Sequence, residues 1–273
     1  MIQTTICAPI DLTGVGIHSG ESVAIRLLPA PENTGFIFVR TDYDQHQIPV
    51  LPGSLHSTNR ATILRYNNVQ IATPEHLLAA CYGLGLDNLI IEIDNEEVPI
   101  MDGSSEIFVA AIRKVGIKSQ SIPTTIRNIT EPIKLTDGDK AIIALPDEQF
   151  KLTYFMEYPD HFIGSQSFTL EWSPDNFSLE ISPARTFGFH KEIEALLAKG
   201  LAKGGSLNNA VVIGENEYLN PLRFPDELVR HKILDMIGDL ATTGTKLTGH
   251  FIGIKSGHAL NMALVKALER LDA

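Results

Sequence analysis

Cysteine is nearly missing from this 273-residue chain: Cys7 and Cys81 allow at most one disulfide. That excludes a cross-linked scaffold and a closed, cysteine-rich structural zinc module. Basic residues are outnumbered, 22 Lys and Arg against 33 Asp and Glu. The net charge of −11 argues against a nucleic-acid partner held on a basic face, although a few local lysines can still bind a phosphorylated small molecule. No apolar run approaches the ~18–20 residues that cross a bilayer, so no transmembrane segment is expected. Met1 to Cys7 show no charged stretch leading into an apolar one. No secretory signal is read there, the cytoplasm is the expected location, and both thiols are expected to be free and buried. HExxH, GxGxxG, P-loop and GxSxG patterns are also missing, and with them the usual metalloprotease, dinucleotide and serine-hydrolase signatures.

What is present is a soluble-type composition, 44% hydrophobic, in a chain long enough for one large domain or two ordinary ones. One unit occurs twice. A helix opens at Thr73-Pro74-Glu75-His76, with Thr73 as N-cap and Pro74 in the first turn, and ends at Gly83 to Gly85. A strand (Leu89–Ile93), a turn at Asp102-Gly103-Ser104 and a helix from Glu106 to Val115 follow. The second half repeats the order: a helix carrying His231 and ending near Gly244, a strand over Phe251–Lys255, a turn at Ser256-Gly257-His258, and a helix from Leu260 to Leu271. His76 and His231 lie 155 residues apart, and Gly103 and Gly257 lie 154 apart. These matches predict a duplicated α+β fold with repeats over 1–122 and 123–273 and a polar boundary at Ser119–Arg127. Two segments fall outside the repeat: a turn-rich insertion of short strands at about 42–70, and a strand–helix–strand insertion at about 187–220.

The densest chemistry lies in His231-Lys-Ile-Leu-Asp-Met-Ile-Gly-Asp239. His231, Asp235 and Asp239 fall at i, i+4 and i+8, on one stripe of a helix, with Val229, Ile233, Met236, Ile237 and Leu240 on another. A His and an Asp one turn apart can share a divalent cation. If His76 joins them, the set is His₂Asp with an open position, and Glu75 stands beside it as a base. His258, in the tight turn after a strand, can give a proton or a hydrogen bond to a developing oxyanion, oriented by Asp239. At this stage each residue has a plainer alternative. Glu75 is a first-turn carboxylate suited to the helix dipole, His76 a half-buried histidine, and His258 a cap.

Several motifs together resemble one family. Thr73-Pro-Glu-His-Leu-Leu-Ala-Ala80, Ala184-Arg-Thr-Phe-Gly-Phe189, Arg230 to Leu240 and Lys255-Ser-Gly-His-Ala-Leu-Asn261 are similar to the UDP-3-O-acyl-N-acetylglucosamine deacetylases. Gly14-Val-Gly-Ile-His-Ser-Gly20, Asp87-Asn88 and Pro99-Ile-Met-Asp-Gly-Ser104 fit the same pattern, so the resemblance spans essentially the whole chain. It implies a cytoplasmic zinc enzyme of the committed step of lipid A synthesis, folded as a duplicated two-domain sandwich with helices packed between two sheets. It implies zinc on His76, His231 and Asp235, a ligand set whose chemistry also suits Fe²⁺. Glu75 is then the base, and His258, backed by Asp239, stabilises the oxyanion or protonates the leaving amine. Thr186 would bond the oxyanion. Lys232, Lys255 and Lys140 would meet the sugar and diphosphate, and Phe187 the sugar and acyl region. The 187–220 insertion would form the acyl-chain passage, and Glu157-Tyr158 matches loosely a position that meets the uracil. A monomer with a small-molecule substrate and no nucleic-acid partner is expected.

Overall fold

The segment Ser22–Pro29 alternates in burial, with Val23, Ile25 and Leu27 inside and Ser22 and Arg26 outside, as a sheet covered on one face requires. In the computed structural model, which describes residues 1–58 and 61–270, such strands make two principal sheets. The first half contains β1 (Ile2–Ile6), β2 (Ile10–Val15), β3 (Ser22–Pro29), β4 (Phe36–Arg40) and β5 (His46–Pro49). Then come β6 (Leu55–Thr58), β7 (Thr62–Tyr66), β8 (Val69–Ala72), helix α1 (Glu75–Gly83), β9 (Leu89–Ile93) and α2 (Glu106–Val115). The second half contains β10 (Ile117–Pro123), β11 (Ile126–Asn128), β12 (Ile133–Asp137), β13 (Lys140–Leu145), β14 (Phe150–Tyr158), β15 (Gly164–Glu171) and a short turn of helix, α3 (Pro174–Asn176). It closes with β16 (Phe187–Phe189), α4 (His190–Ala198), β17 (Val211–Ile213), α5 (Glu227–Leu240), β18 (Lys246–Ile254) and α6 (His258–Arg270).

The two main sheets share one plan. Their orders are β2-β3-β9-β4-β5 and β12-β13-β18-β14-β15, with β11 alongside β18. In each, an antiparallel hairpin pairs antiparallel with a late strand, which runs parallel to the next. Each late strand follows one helix (α1, α5) and precedes another (α2, α6). The expected mixed α+β class is what the chain adopts.

Helices α1 and α5 meet at the centre. A side chain at Gly238 would put its Cβ 2.1 Å from the Glu75 carbonyl oxygen, so only glycine lets the two backbones approach this closely. Every residue of α1 is buried, and on α5 only Arg230 and Lys232 are not. The sequence pattern suggested one packed and one open face on α5. The structure instead encloses it everywhere but at Arg230 and Lys232, because its buried polar residues find partners inside the protein.

Some local expectations change. Thr73 does not cap α1: its backbone is left-handed (φ +56°), its hydroxyl reaches Glu97 Oε1 at 3.3 Å, and Pro74 occupies the cap position. Of the 42–70 segment, β5 extends the first main sheet through β4, and the separate three-stranded sheet is β6-β7-β8. Within Ser119–Arg127, β10 pairs antiparallel with β1. The strand expected from Phe251 starts earlier, at Lys246, and α6 starts at His258, while Leu271 lies outside the described residues. Strand, helix and strand over 187–220 form as expected, β16 and β17 pairing in parallel. Both cysteines are free, but Cys7 is exposed and only Cys81 is buried. Among the described residues no helix is long and apolar enough to cross a membrane.

Candidate active site and metal centre

The close approach of α1 and α5 brings His76, in the first turn of α1, against His231 and Asp235 on α5. One ligand atom from each lies within 4.8 Å of the others, and all three residues are buried. Asp235 Oδ1 is 3.2 Å from His231 Nε2 and 3.7 Å from His76 Nε2, and the two rings cross edge to face with centroids 4.9 Å apart. His231 Nδ1 lies 3.1 Å from the Ala184 carbonyl oxygen. A carbonyl only accepts, so Nδ1 carries the proton and the Nε2 lone pair faces Asp235. Burial holds the His231 pKa below its ordinary value, which keeps the ring neutral. Burial would raise Asp235, but the neighbouring His231 imidazole and Lys232 ammonium outweigh it and hold the carboxyl well below the usual range. Lys232 Nζ donates to Asp235 Oδ2 at 2.7 Å, which leaves Oδ1 toward the imidazoles. Two imidazole nitrogens and one carboxylate oxygen, with a cavity in front, fit a zinc or ferrous ion with an open coordination position.

Beside this cluster stands an acid–base pair. Glu75 is 2% exposed, and burial pushes its carboxyl up to about 7, against the pull of His258 and with help from Asp239 and Asp235. Its Oε1 is 3.8 Å from His258 Nε2. For His258 burial favours the neutral ring, but the charge and hydrogen bond of Asp239, then Glu75, carry it up to about 10. Asp239 is fully buried, and its Oδ2 accepts from His258 Nδ1 at 2.8 Å and from Asn261 Nδ2 at 2.8 Å. Asp239 thus belongs with His258, one turn beyond the metal cluster.

Two cavities open from the site. The first, about 590 Å³, has Glu75, His76, Asp235 and His258 in its wall and continues along Ile193, Leu196, Leu207, Val212 and Leu219 of the 187–220 insertion. The second, about 490 Å³, collects Lys140, Lys232 and Lys255 with Tyr154, Glu157, Tyr158 and Ser256. Thr186, Phe187 and Lys232 line both. Lys232 lies 5.3 Å from the Phe187 ring centroid, a cation–π distance, and that ring lies 6.2 Å from His231. Lys255 bridges Asp139 at 3.0 Å and Glu157 at 2.9 Å, and Lys140 is exposed at the start of β13. The Thr186 amide donates to the Gly103 carbonyl at 2.8 Å, which ties the two halves together beside the site.

Sequence reading missed several supports. Arg185 forms a buried ion pair with Glu227 at 2.8 Å, fixing the loop whose Ala184 carbonyl holds His231. An arginine inside the Ala184–Phe189 motif and a carboxylate in the first turn of α5 were the available signals. Asn261, on Asp239, closes the Lys255–Asn261 motif, whereas Thr62, on the same carboxylate, carried no signal.

Fold and site together define a hydrolase-type acid–base centre built around a cluster able to hold a divalent ion. Residues 3–270 match the LpxC family model, described as UDP-3-O-acyl N-acetylglycosamine deacetylase, and the chain belongs to that family. It is similar to proteins named UDP-3-O-acyl-N-acetylglucosamine deacetylase from several bacteria. For Myxococcus xanthus identity is 45% over 267 residues, covering 97% of this chain and 85% of the relative. For Nitratidesulfovibrio vulgaris it is 46% over 272 residues (98% and 88%), and for Coxiella burnetii 44% over 272 residues (97% and 89%).

Proposed function

We propose that this protein hydrolyses the N-acetyl group of UDP-3-O-acyl-N-acetylglucosamine, giving acetate and UDP-3-O-acyl-glucosamine, the committed step of lipid A synthesis. The observation that carries the reading is the fork at the site. One arm is apolar and suits an acyl chain, the other gathers three lysines and suits a diphosphate, and Glu75 and His258 stand where the arms meet.

His76, His231 and Asp235 would hold one zinc ion, with ferrous ion the alternative. When bound, it supplies Lewis-acid polarisation of the amide carbonyl and of the attacking water. Glu75, ionised in good part near neutral pH, takes the proton that water gives up. His258, cationic across that range, delivers a proton to the departing sugar amine, and Asp239 holds its ring in line. The Thr186 hydroxyl hydrogen-bonds the developing oxyanion. Lys232, Lys255 and Lys140 bind the sugar and diphosphate, Phe187 lies against the sugar and acyl base, and Tyr158 is the nearest candidate for the uracil. The enzyme works as a cytoplasmic monomer, with repeats over 1–122 and 123–273 and the 187–220 insertion enclosing the acyl chain.

The test is acetate release from UDP-3-O-acyl-N-acetylglucosamine by chelator-treated protein, before and after one equivalent of zinc. Activity only with zinc supports substrate, reaction and metal together. A folded protein inactive in both states would overturn the reading.

A further inference from the structure

Among the described residues, no side chain between 42 and 70 lines either cavity, yet one residue of that segment touches the acid–base apparatus at three points. Thr62, fully buried at the start of β7, donates its backbone N–H to Glu75 Oε2 at 3.3 Å. Its hydroxyl donates to Asp239 Oδ1 at 2.5 Å, and the same oxygen lies 3.4 Å from His258 Nδ1. Its carbonyl accepts the Thr73 amide at 3.0 Å, which anchors it two residues before Glu75. The pairing of Ile63 with Ala72 across β7 and β8 fixes the register of this arrangement.

The division of donors on Asp239 gives the hydroxyl its weight. Oδ2 takes both His258 and Asn261, whereas among the described residues Oδ1 takes Thr62 alone. A fully buried carboxylate oxygen left without a donor is costly, and the carboxylate would turn to share the donors on its other side. That turn would move Oδ2 off the line of His258 Nδ1. The backbone amide meanwhile limits where Glu75 can swing.

We propose that Thr62 is a positioning residue for the deacetylation proposed above, on which this inference rests. It sets the spacing of the Glu75 base and the His258 acid by holding Glu75 with its amide and Asp239 with its hydroxyl. The small β6-β7-β8 sheet is the frame that delivers it.

The experiment compares Thr62→Val, Thr62→Ala and Thr62→Ser zinc enzymes. Thr62→Val should lower kcat about 10- to 100-fold, the range for losing an outer hydrogen bond that orients a site, with KM and zinc content close to wild type. Thr62→Ser, which restores the hydroxyl, should recover most of that loss, and Thr62→Ala gives a second reading if valine disturbs folding. Adding Thr62→Val to Asp239→Asn should cost nothing further, because both act through one carboxylate. A wild-type kcat in Thr62→Val or Thr62→Ala, or fully additive losses in the double variant, would overturn the proposal. A second readout is independent of the substrate: a downfield ring N–H proton resonance of His258, assigned by its loss in His258→Gln. It should persist in Thr62→Ser and broaden by solvent exchange in Thr62→Val. Persistence in Thr62→Val rejects the positioning role even if the wild type fails to deacetylate this substrate, whereas inactive wild type with the expected broadening rejects only the substrate.

Discussion

His258 Nδ1 sits 2.8 Å from the fully buried carboxylate of Asp239, and this contact opposes the burial that would otherwise make the ring neutral. Replacing Asp239 by Asn keeps a hydrogen-bonding group but removes the charge. The pKa of His258 should then fall from about 10 toward the neutral-ring side, since burial is no longer outweighed. The proton donor is lost as pH rises through that pKa, so the alkaline limb of the kcat profile should move to lower pH, with kcat down by ~10²-fold or more. A divalent ion bound beside the pair would draw both limbs down in either protein, so the comparison is made at equal metal occupancy. An alkaline limb that stays in place would show that His258 does not set it.

Glu75 and His231 lie on different helices and should fail differently. Glu75→Ala removes the base and leaves His76, His231 and Asp235 in place, so it should keep metal while kcat falls by ~10²–10⁴-fold. His231→Ala removes a ligand and should lose both metal and turnover. Metal analysis of the two purified variants, beside their rates, checks the division. Equal metal loss would place Glu75 among the ligands.

The lysine-lined cavity makes a separable prediction. Lys255 lines it and pairs with Asp139 and Glu157, and among the described residues it makes no hydrogen bond or ion pair with His76, His231, Asp235, Glu75 or His258. Lys255→Ala should therefore raise KM by about tenfold, which corresponds to about 1.4 kcal/mol of binding, with little change in kcat. A fall in kcat at unchanged KM would move Lys255 from binding to chemistry.

Much of this arrangement is legible where the chemistry is local in sequence. His231 and Asp235 share a helix face because they are one turn apart, and the helix Glu106–Val115 follows the turn at Asp102-Gly103-Ser104 as expected. Helix, strand, turn and helix recur in order along the chain, and the two sheets carry the same strand plan. Contacts that join distant segments to satisfy buried polar groups could not be read. Thr62 meets Asp239 across 177 residues, in a segment that as sequence looks like a turn-rich insertion. The near-complete burial of α5 was hidden for the same reason: the partners of its polar residues lie on α1, α6 and β7. The left-handed backbone of Thr73, a residue suited to capping, is set by the turn into α1 and by Glu97.

The helix crossing supplies the last prediction. A methyl group at Gly238 would lie 2.1 Å from the carbonyl oxygen of Glu75 and 2.9 Å from its Cα, backbone atoms that have no rotamer to escape by. Gly238→Ala must therefore push α1 and α5 apart. The ligands of the candidate metal centre are divided between these two helices, so the same shift separates His76 from His231 and Asp235. Alanine is the better helix former, by about 1 kcal/mol over glycine, so local propensity alone would predict a stabilised α5. Overpacking of a close backbone contact costs roughly 1–3 kcal/mol and outweighs it. The variant should show a lower Tm than wild type and weaker zinc binding, measured by thermal melts with and without the metal. The Tm increment on adding zinc should shrink, because an ion that binds the native state less tightly stabilises it less. A Gly238→Ala protein that melts higher than wild type and keeps the full zinc increment would mean that the helices yield sideways without moving their ligands.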